Sequence, residues 1–119
     1  RLIYETARRD GIAVQIHMEQ EPGASGKALV DHYRHDILRG FPFYARRSTG
    51  SKEARSNPVA AMAEAGHVKL LEANWNGDFL DELVLFPAGS HDDQVDTLSS
   101  GYLVLTGKRV TRDSIQWVY

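Results

Sequence analysis

The amino-acid sequence predicts an α/β fold. Segments in which apolar and polar residues alternate, as in β-strands, are followed by segments whose apolar residues recur every three or four positions, as in helices. The chain has 119 residues, of which 42% are hydrophobic, and a chain of this size buries a core of its own. We therefore expect a single domain over residues 1–119, with residues 108–119 as a C-terminal tail.

The first half of the chain predicts helices and strands in alternation. Polar and apolar residues alternate after Gly11, which favours a strand, and Pro22 with its neighbouring glycines favours the turn that follows. Apolar residues at helical spacing come next and stop at Gly40. The elements expected are the end of a helix over residues 1–10, a strand over 12–19, a helix over 27–39 and a short strand over 41–45.

The second half is expected to be mainly helical. The segment after Ser51 has helical composition, and we place Pro58 in the first turn of a helix, where its fixed φ is favourable. Apolar residues over 95–105 form the core-facing stripe of a helix that should end at Gly107. The elements expected are helices over 52–65, 75–86 and 92–105, a short strand over 67–71 and a further strand over 115–119.

Composition excludes several classes of protein. The chain has no cysteine, which rules out a disulfide framework, a thiolate zinc site and a cysteine nucleophile. No apolar stretch approaches the roughly 20 residues of a membrane-spanning helix, and the first residues contain no signal-peptide run. The formal charge of −2 is unevenly distributed, with +3 over residues 1–55, −7 over 56–107 and +2 over 108–119.

The segment from Gly23 to Lys27 has the glycines and the lysine of a phosphate-binding loop but not its spacing. The Walker pattern needs a glycine where Glu21 stands and a serine or threonine where Ala28 stands. Nucleotide hydrolysis is therefore disfavoured. A helix N-terminus with a nearby lysine remains suited to a nucleic-acid phosphate.

The acidic run around Asp92 is the most specific candidate site. Asp92 and Asp96 share one face of the predicted last helix and repel each other unless a cation or an arginine lies between them. A capping box from Ser90 and the helix dipole account for one or two carboxylates here, but Asp93 makes a third. Because hard divalent cations prefer carboxylate oxygens, the run favours a Mg²⁺ or Mn²⁺ site.

Glu19 and Glu21 are the second acidic candidates. They lie at the C-terminal end of the first predicted strand, where open α/β sheets usually carry their chemistry. Alone they are ordinary surface acids. Beside Asp92 they would complete a pocket of several carboxylates.

Five sequence blocks carry a family resemblance over residues 5–105. The blocks are QEPGASGK (20–27), SKEARSNP (51–58), EAGHV (64–68), FLDEL (79–83) and FPAGSHDDQVD (86–96). Together, and in this order, they resemble the C-terminal nuclease domain of large terminase subunits from tailed bacteriophages. The block over residues 86–96 is the most specific of the five.

The resemblance implies a ribonuclease H-like mixed sheet flanked by helices. It implies an endonuclease that cleaves concatemeric viral DNA during genome packaging with two divalent metals, Mg²⁺ or Mn²⁺. Glu21 and Asp92 would be catalytic, and Glu21, Asp92 and Asp93 would bind the metals, while Asp96 also matches the pattern. The residues implied to bind nucleic acid are all basic: Lys27, Arg46, Arg47, Lys52 and Arg55.

The same resemblance implies a context for the chain. The family's first catalytic aspartate lies on an initial strand that a hairpin follows, and Arg1 stands after both, so we expect an N-terminally truncated domain without this acid. The implied partners are double-stranded DNA, a packaging ATPase domain, the small terminase subunit and the portal, with no membrane. The implied location is the cytoplasm of a bacterial host of the phage or prophage.

Two other functions stay open at this point. The first is a non-catalytic DNA-binding or assembly module, a nuclease remnant whose exposed sheet edge would pair with another chain. The second is a small-molecule α/β enzyme, which should have a closed pocket and should not bind plasmid DNA.

Overall fold

The computed structural model describes residues 1–48 and 50–110, and the chain divides into two units, Arg1–Thr49 and Gly50–Tyr119. The N-terminal unit contains α1 (Leu2–Asp10), β1 (Ile16–Gln20), α2 (Ala24–His32), a π-helical segment (Tyr33–Ile37) and β2 (Phe43–Arg47). The C-terminal unit contains α3 (Lys52–Glu64), α4 (Asn76–Leu85) and α5 (Asp93–Val110). These elements confirm the predicted α/β class.

In the N-terminal unit, β1 and β2 form a parallel pair, with a register that runs from Ile16 opposite Phe43 to Gln20 opposite Arg47. Parallel neighbours need a crossover connection, and α2 with the π-helical segment supplies it. Val30 of the crossover is almost completely buried. Because both strands end at the same edge, the loop after Gln20 and the end of β2 lie together.

Strand β1 is shorter than the predicted strand over residues 12–19 and begins at Ile16. The preceding residues turn after Gly11, whose φ is +81°, and the amide of Val14 donates to the carbonyl of Gly11 at 3.4 Å. Pairing starts only where the Ile16 amide meets the carbonyl of Pro42, at 2.9 Å. The alternation of apolar and polar residues therefore begins before the strand does, because only the residues from Ile16 onwards have a partner strand.

In the C-terminal unit, α5 packs against α3 and α4. Val59 of α3 and Val95 and Ser99 of α5 are buried. The Ser99 hydroxyl donates to the carbonyl of Val95 at 2.9 Å, so this buried polar group is satisfied within its own helix. The predicted stripe on α5 is buried at Val95, whereas Leu105 is exposed.

Three sequence predictions in this unit are wrong. Pro58 lies in the interior of α3, because the Ser51 side chain accepts from the Ala54 amide and starts the helix before the proline. Residues 67–71 form no strand: Leu71 is 82% exposed, and residues 50–110 contain no strand to pair with. Helix α5 continues through Gly107, since a glycine inside a helix costs only about 1 kcal/mol.

The C-terminal end of the chain is described only in part. Helix α5 extends to Val110 and so includes the first residues of the predicted tail over 108–119. The predicted strand over residues 115–119 lies outside the described residues. Within the part of the chain that is described, no helix is long and apolar enough to cross a membrane.

Candidate functional site

In the C-terminal unit, one ammonium group lies between two carboxylates. Lys52, the first residue of α3, donates from Nζ to Oδ2 of Asp92 at 2.6 Å, and the same Nζ lies 3.6 Å from Oδ2 of Asp96. Asp92 immediately precedes α5, and its carbonyl accepts the first helical hydrogen bond from the Asp96 amide at 2.9 Å. The fold therefore supplies the cation that the spacing of Asp92 and Asp96 requires.

Arg55, one turn further along α3, adds a second positive charge beside this carboxylate pair. Its Nη1 donates to the carbonyl of Gly50 at 2.9 Å, and its Nη2 lies 4.0 Å from Oδ1 of Asp96. Its side chain is only 14% exposed, whereas that of Lys52 is 48% exposed. The side chain of Arg55 is therefore less free to move than that of Lys52, because both terminal nitrogens of its guanidinium have a partner.

The hydrogen bond that Lys52 donates to Asp92 raises the pKa of Lys52 above its ordinary value of 10.5, and the charge of Asp96 acts in the same direction. Lys52 is therefore a full positive charge at neutral pH. The carboxylates it contacts are 24% exposed at Asp92 and 21% exposed at Asp96. In this cluster the two carboxylates are therefore mostly shielded from solvent, whereas the lysine side chain is half exposed to it.

Asp93 stands apart from this arrangement. It is an exposed residue at the first position of α5, and its carbonyl accepts from the Thr97 hydroxyl at 2.8 Å. The carboxylate that the fold brings together with Asp92 is that of Asp96. The role of Asp93 as a metal ligand stays a prediction.

Glu82 of α4 caps the start of α5, a contact that sequence reasoning missed. Its Oε2 accepts from the Val95 amide at 2.8 Å, and its Oε1 accepts from Nε2 of Gln94 at 3.4 Å. The proposed capping box is wrong because Ser90 lies two residues before Asp92, which occupies the N-cap position. No local pattern marks Glu82, because the residues that it joins lie on different helices.

Removing this cap should lower stability. We expect Glu82→Ala to reduce the free energy of unfolding by about 1 kcal/mol, the usual cost of losing a helix N-cap. Thermal unfolding should move down by about 4 °C, measured by circular dichroism at 222 nm. Asp81→Ala is the matched control, since Asp81 is exposed on the same helix. Equal losses in the two variants would show that the contact of Glu82 with α5 contributes nothing.

In the N-terminal unit, three of the predicted site residues line one cavity of about 370 Å³. Glu21, Lys27 and Arg47 line it, together with the Pro22-Gly23 loop and Ser48. Arg46 precedes Arg47 on β2 and lies in register with Glu19 of β1. Both arginines and Lys27 are exposed. The strand end is therefore basic, as the sequence predicts, and Glu21 lies among these positive charges.

Gly26, in the first turn of α2, has a packing role. Gly26 is buried, and a Cβ atom at this position would clash with the backbone carbonyl of Glu21. The glycine thus allows α2 to approach the end of β1 closely. It fixes the backbone of Glu21, the residue predicted to be catalytic.

The predicted site residues are divided between the two units. Glu21 belongs to the N-terminal unit, and Asp92 and Asp93 belong to the C-terminal unit, so the pairing of Glu21 with Asp92 stays a prediction. Across residues 1–48 and 50–110, no three His, Cys, Asp or Glu side chains are grouped closely enough to hold a metal. Asp92 and Asp96 nevertheless fit a divalent cation, because their hard oxygens already converge on a positive charge.

The helices and the parallel strand pair define an α/β fold, and the family model that the chain matches is that of a ribonuclease H-like domain. The chain belongs to the Terminase RNaseH-like domain family, whose family model matches residues 1–105. This membership confirms the resemblance predicted from the sequence and the predicted fold class. No curated protein and no solved structure matches the chain significantly.

Membership also sets the broad role of the chain. It indicates a nuclease role in packaging, in a family that typically uses divalent metals. It further implies DNA and packaging proteins as partners of a phage protein.

Proposed function

We propose that this chain is the divalent-metal-dependent endonuclease domain that cleaves concatemeric viral DNA during genome packaging. Family membership supports the reaction class. The observation that carries the proposal is the convergence of Asp92 and Asp96 on one cation beside the start of α5. Two carboxylates on one turn of helix also supply the hard oxygen ligands that Mg²⁺ and Mn²⁺ prefer.

The residues that would hold the metals follow from this geometry and from the family pattern. Asp92 and Asp96 would bind one Mg²⁺ or Mn²⁺ ion, and Asp93 and Glu21 would complete a two-metal site. When bound, such ions activate a water molecule and stabilise the leaving oxygen of a phosphodiester. The chain itself fixes Asp92 and Asp96 one turn apart through α5, and Glu82 holds the first turn of that helix in place.

Lys27, Arg46 and Arg47 are the groups we propose for the DNA backbone. They are exposed near the C-terminal edge of the β1–β2 pair, and long basic side chains there can contact successive phosphates. Contacts of this kind are independent of base sequence and weaken as salt rises. Lys52 and Arg55 join them in the proposal, although both face carboxylates in this structure.

The proposed partners and location follow from the same role. The domain would act on double-stranded DNA together with a packaging ATPase domain, the small terminase subunit and the portal. Its place of action would be the cytoplasm of a bacterial host that carries the phage or prophage.

A plasmid assay tests the nuclease and its DNA contacts. Purified protein with Mn²⁺ should nick supercoiled plasmid, and EDTA should abolish nicking. In filter binding with EDTA, Arg46→Gln with Arg47→Gln should reduce the slope of log K against log salt by about 2, since each phosphate contact contributes about 0.9. Arg8→Gln with Arg9→Gln removes the same charge from α1 and should leave the slope unchanged.

The outcomes separate the candidate functions. Plasmid that is bound but stays intact with Mn²⁺ would contradict the nuclease and favour the non-catalytic DNA-binding or assembly module. Plasmid that is neither bound nor cut would contradict both.

A further inference from the structure

The ammonium of Lys52 occupies the position that a divalent cation would need. It contacts Oδ2 of Asp92 and lies near Oδ2 of Asp96, and a metal held by these carboxylates would use the same oxygens. The two cations would need the same space and would repel each other, since Mg²⁺ lies about 2.0–2.1 Å from its oxygen ligands and Nζ already lies 2.6 Å from Oδ2 of Asp92. Lys52 must therefore leave Asp92 before a metal binds there.

Lys52 is also able to leave, unlike its neighbour. Its side chain is half exposed and ends in a compact charge on a flexible four-carbon stem. Arg55 is mostly covered and donates to the carbonyl of Gly50. Movement of Lys52 exposes the Asp92 carboxylate and leaves Arg55 beside Asp96.

A DNA phosphate is the anion best suited to take Lys52 from Asp92. A phosphate oxygen accepts charge-assisted hydrogen bonds from lysine as a carboxylate does. We propose that Lys52 couples metal loading to DNA binding, occupying Asp92 in the free protein and releasing it when a backbone phosphate engages its ammonium. This inference rests on the proposed nuclease function and adds the order in which the site is filled.

The coupling has a measurable consequence in both directions. If DNA frees the carboxylate, DNA must raise the affinity for the metal, and by linkage the metal raises the affinity for DNA by the same factor. A protein whose residue 52 carries no charge should bind the metal well without DNA and should gain nothing from DNA. In the absence of DNA, the protein would therefore bind little metal.

Titration calorimetry of Mn²⁺ binding tests this, with and without a phosphorothioate duplex that resists cleavage. The wild-type protein should bind Mn²⁺ about tenfold more tightly with the duplex than without it. Lys52→Gln should bind Mn²⁺ without DNA about as tightly as the wild type does with it. Lys69→Gln removes the same charge from an exposed position of the same unit and should behave as wild type. Lys52→Arg keeps the charge and should restore coupling.

Each outcome decides a separate point. Mn²⁺ affinity that is equal in Lys52→Gln and wild type without DNA overturns the coupling, and so does a duplex effect of the same size in both. Thermal unfolding by circular dichroism checks that each variant is folded. Absence of Mn²⁺ binding in every folded variant, with or without duplex, overturns the metal site itself and the proposed function with it. Plasmid nicking by a protein that lacks the coupling overturns only the inference about Lys52.

Discussion

Asp92→Asn should reduce Mn²⁺-dependent plasmid nicking by more than about 100-fold, since even the residues behind metal ligands usually contribute 10–100-fold. The asparagine keeps the shape of the side chain but removes the charge that would hold the metal. Its amide oxygen still accepts from Lys52, whose side chain is half exposed, and an ion pair that is open to solvent stabilises a fold by only about 1 kcal/mol or less. Initial nicking rates should therefore fall while the midpoint of thermal unfolding stays nearly constant.

Two neighbouring acids refine this result. Because Asp96 shares Lys52 with Asp92, Asp96→Asn should lose more activity than Asp93→Asn, although the family pattern implicates Asp93. Asp78→Asn, in the first turn of α4, is the matched control and should cut at the wild-type rate. Nicking by Asp92→Asn at the control rate would remove Asp92 from the site.

Local sequence patterns predicted some elements of the fold correctly and others wrongly. Helical periodicity predicted α4 and most of α5, because the residues that define a helix lie close together in the sequence. The segment over residues 67–71 has strand-like composition, but a strand also needs a partner, and the described residues of its unit provide none. The prediction for Pro58 was wrong because proline is favourable in the first turn of a helix, but the cap at Ser51 starts this helix six residues before Pro58.

In the site, too, features within one helix were predictable and contacts between helices were not. Because Asp92 and Asp96 stand on one turn of helix, their repulsion indicated a cation or an arginine between them, and we interpreted it as favouring a divalent metal. That this cation is Lys52 was not predictable, because 40 residues separate it from Asp92 and only the packing of α3 on α5 joins them. Glu82 was missed for the same reason, as its contact with Val95 joins two helices.

Gly26→Ala should lower the free energy of unfolding by about 3 kcal/mol, the upper end of the usual cost of overpacking, because the added methyl group meets backbone. The clash with the Glu21 carbonyl cannot be relieved by turning a side chain, so either α2 or the end of β1 must move. Nicking should fall with stability, since Glu21 would move from its place in the proposed site.

Gly101→Ala is the matched control for this effect, and both variants are measured by urea unfolding. Gly101 lies in the interior of α5, and a Cβ there meets nothing within 4 Å. Alanine at that position should stabilise the protein by about 0.5–1 kcal/mol, because a helix interior prefers alanine to glycine. The two substitutions add the same atoms to helical glycines and should have opposite signs. If both stabilise the protein, α2 does not approach Glu21 closely, and the glycine at position 26 needs another explanation.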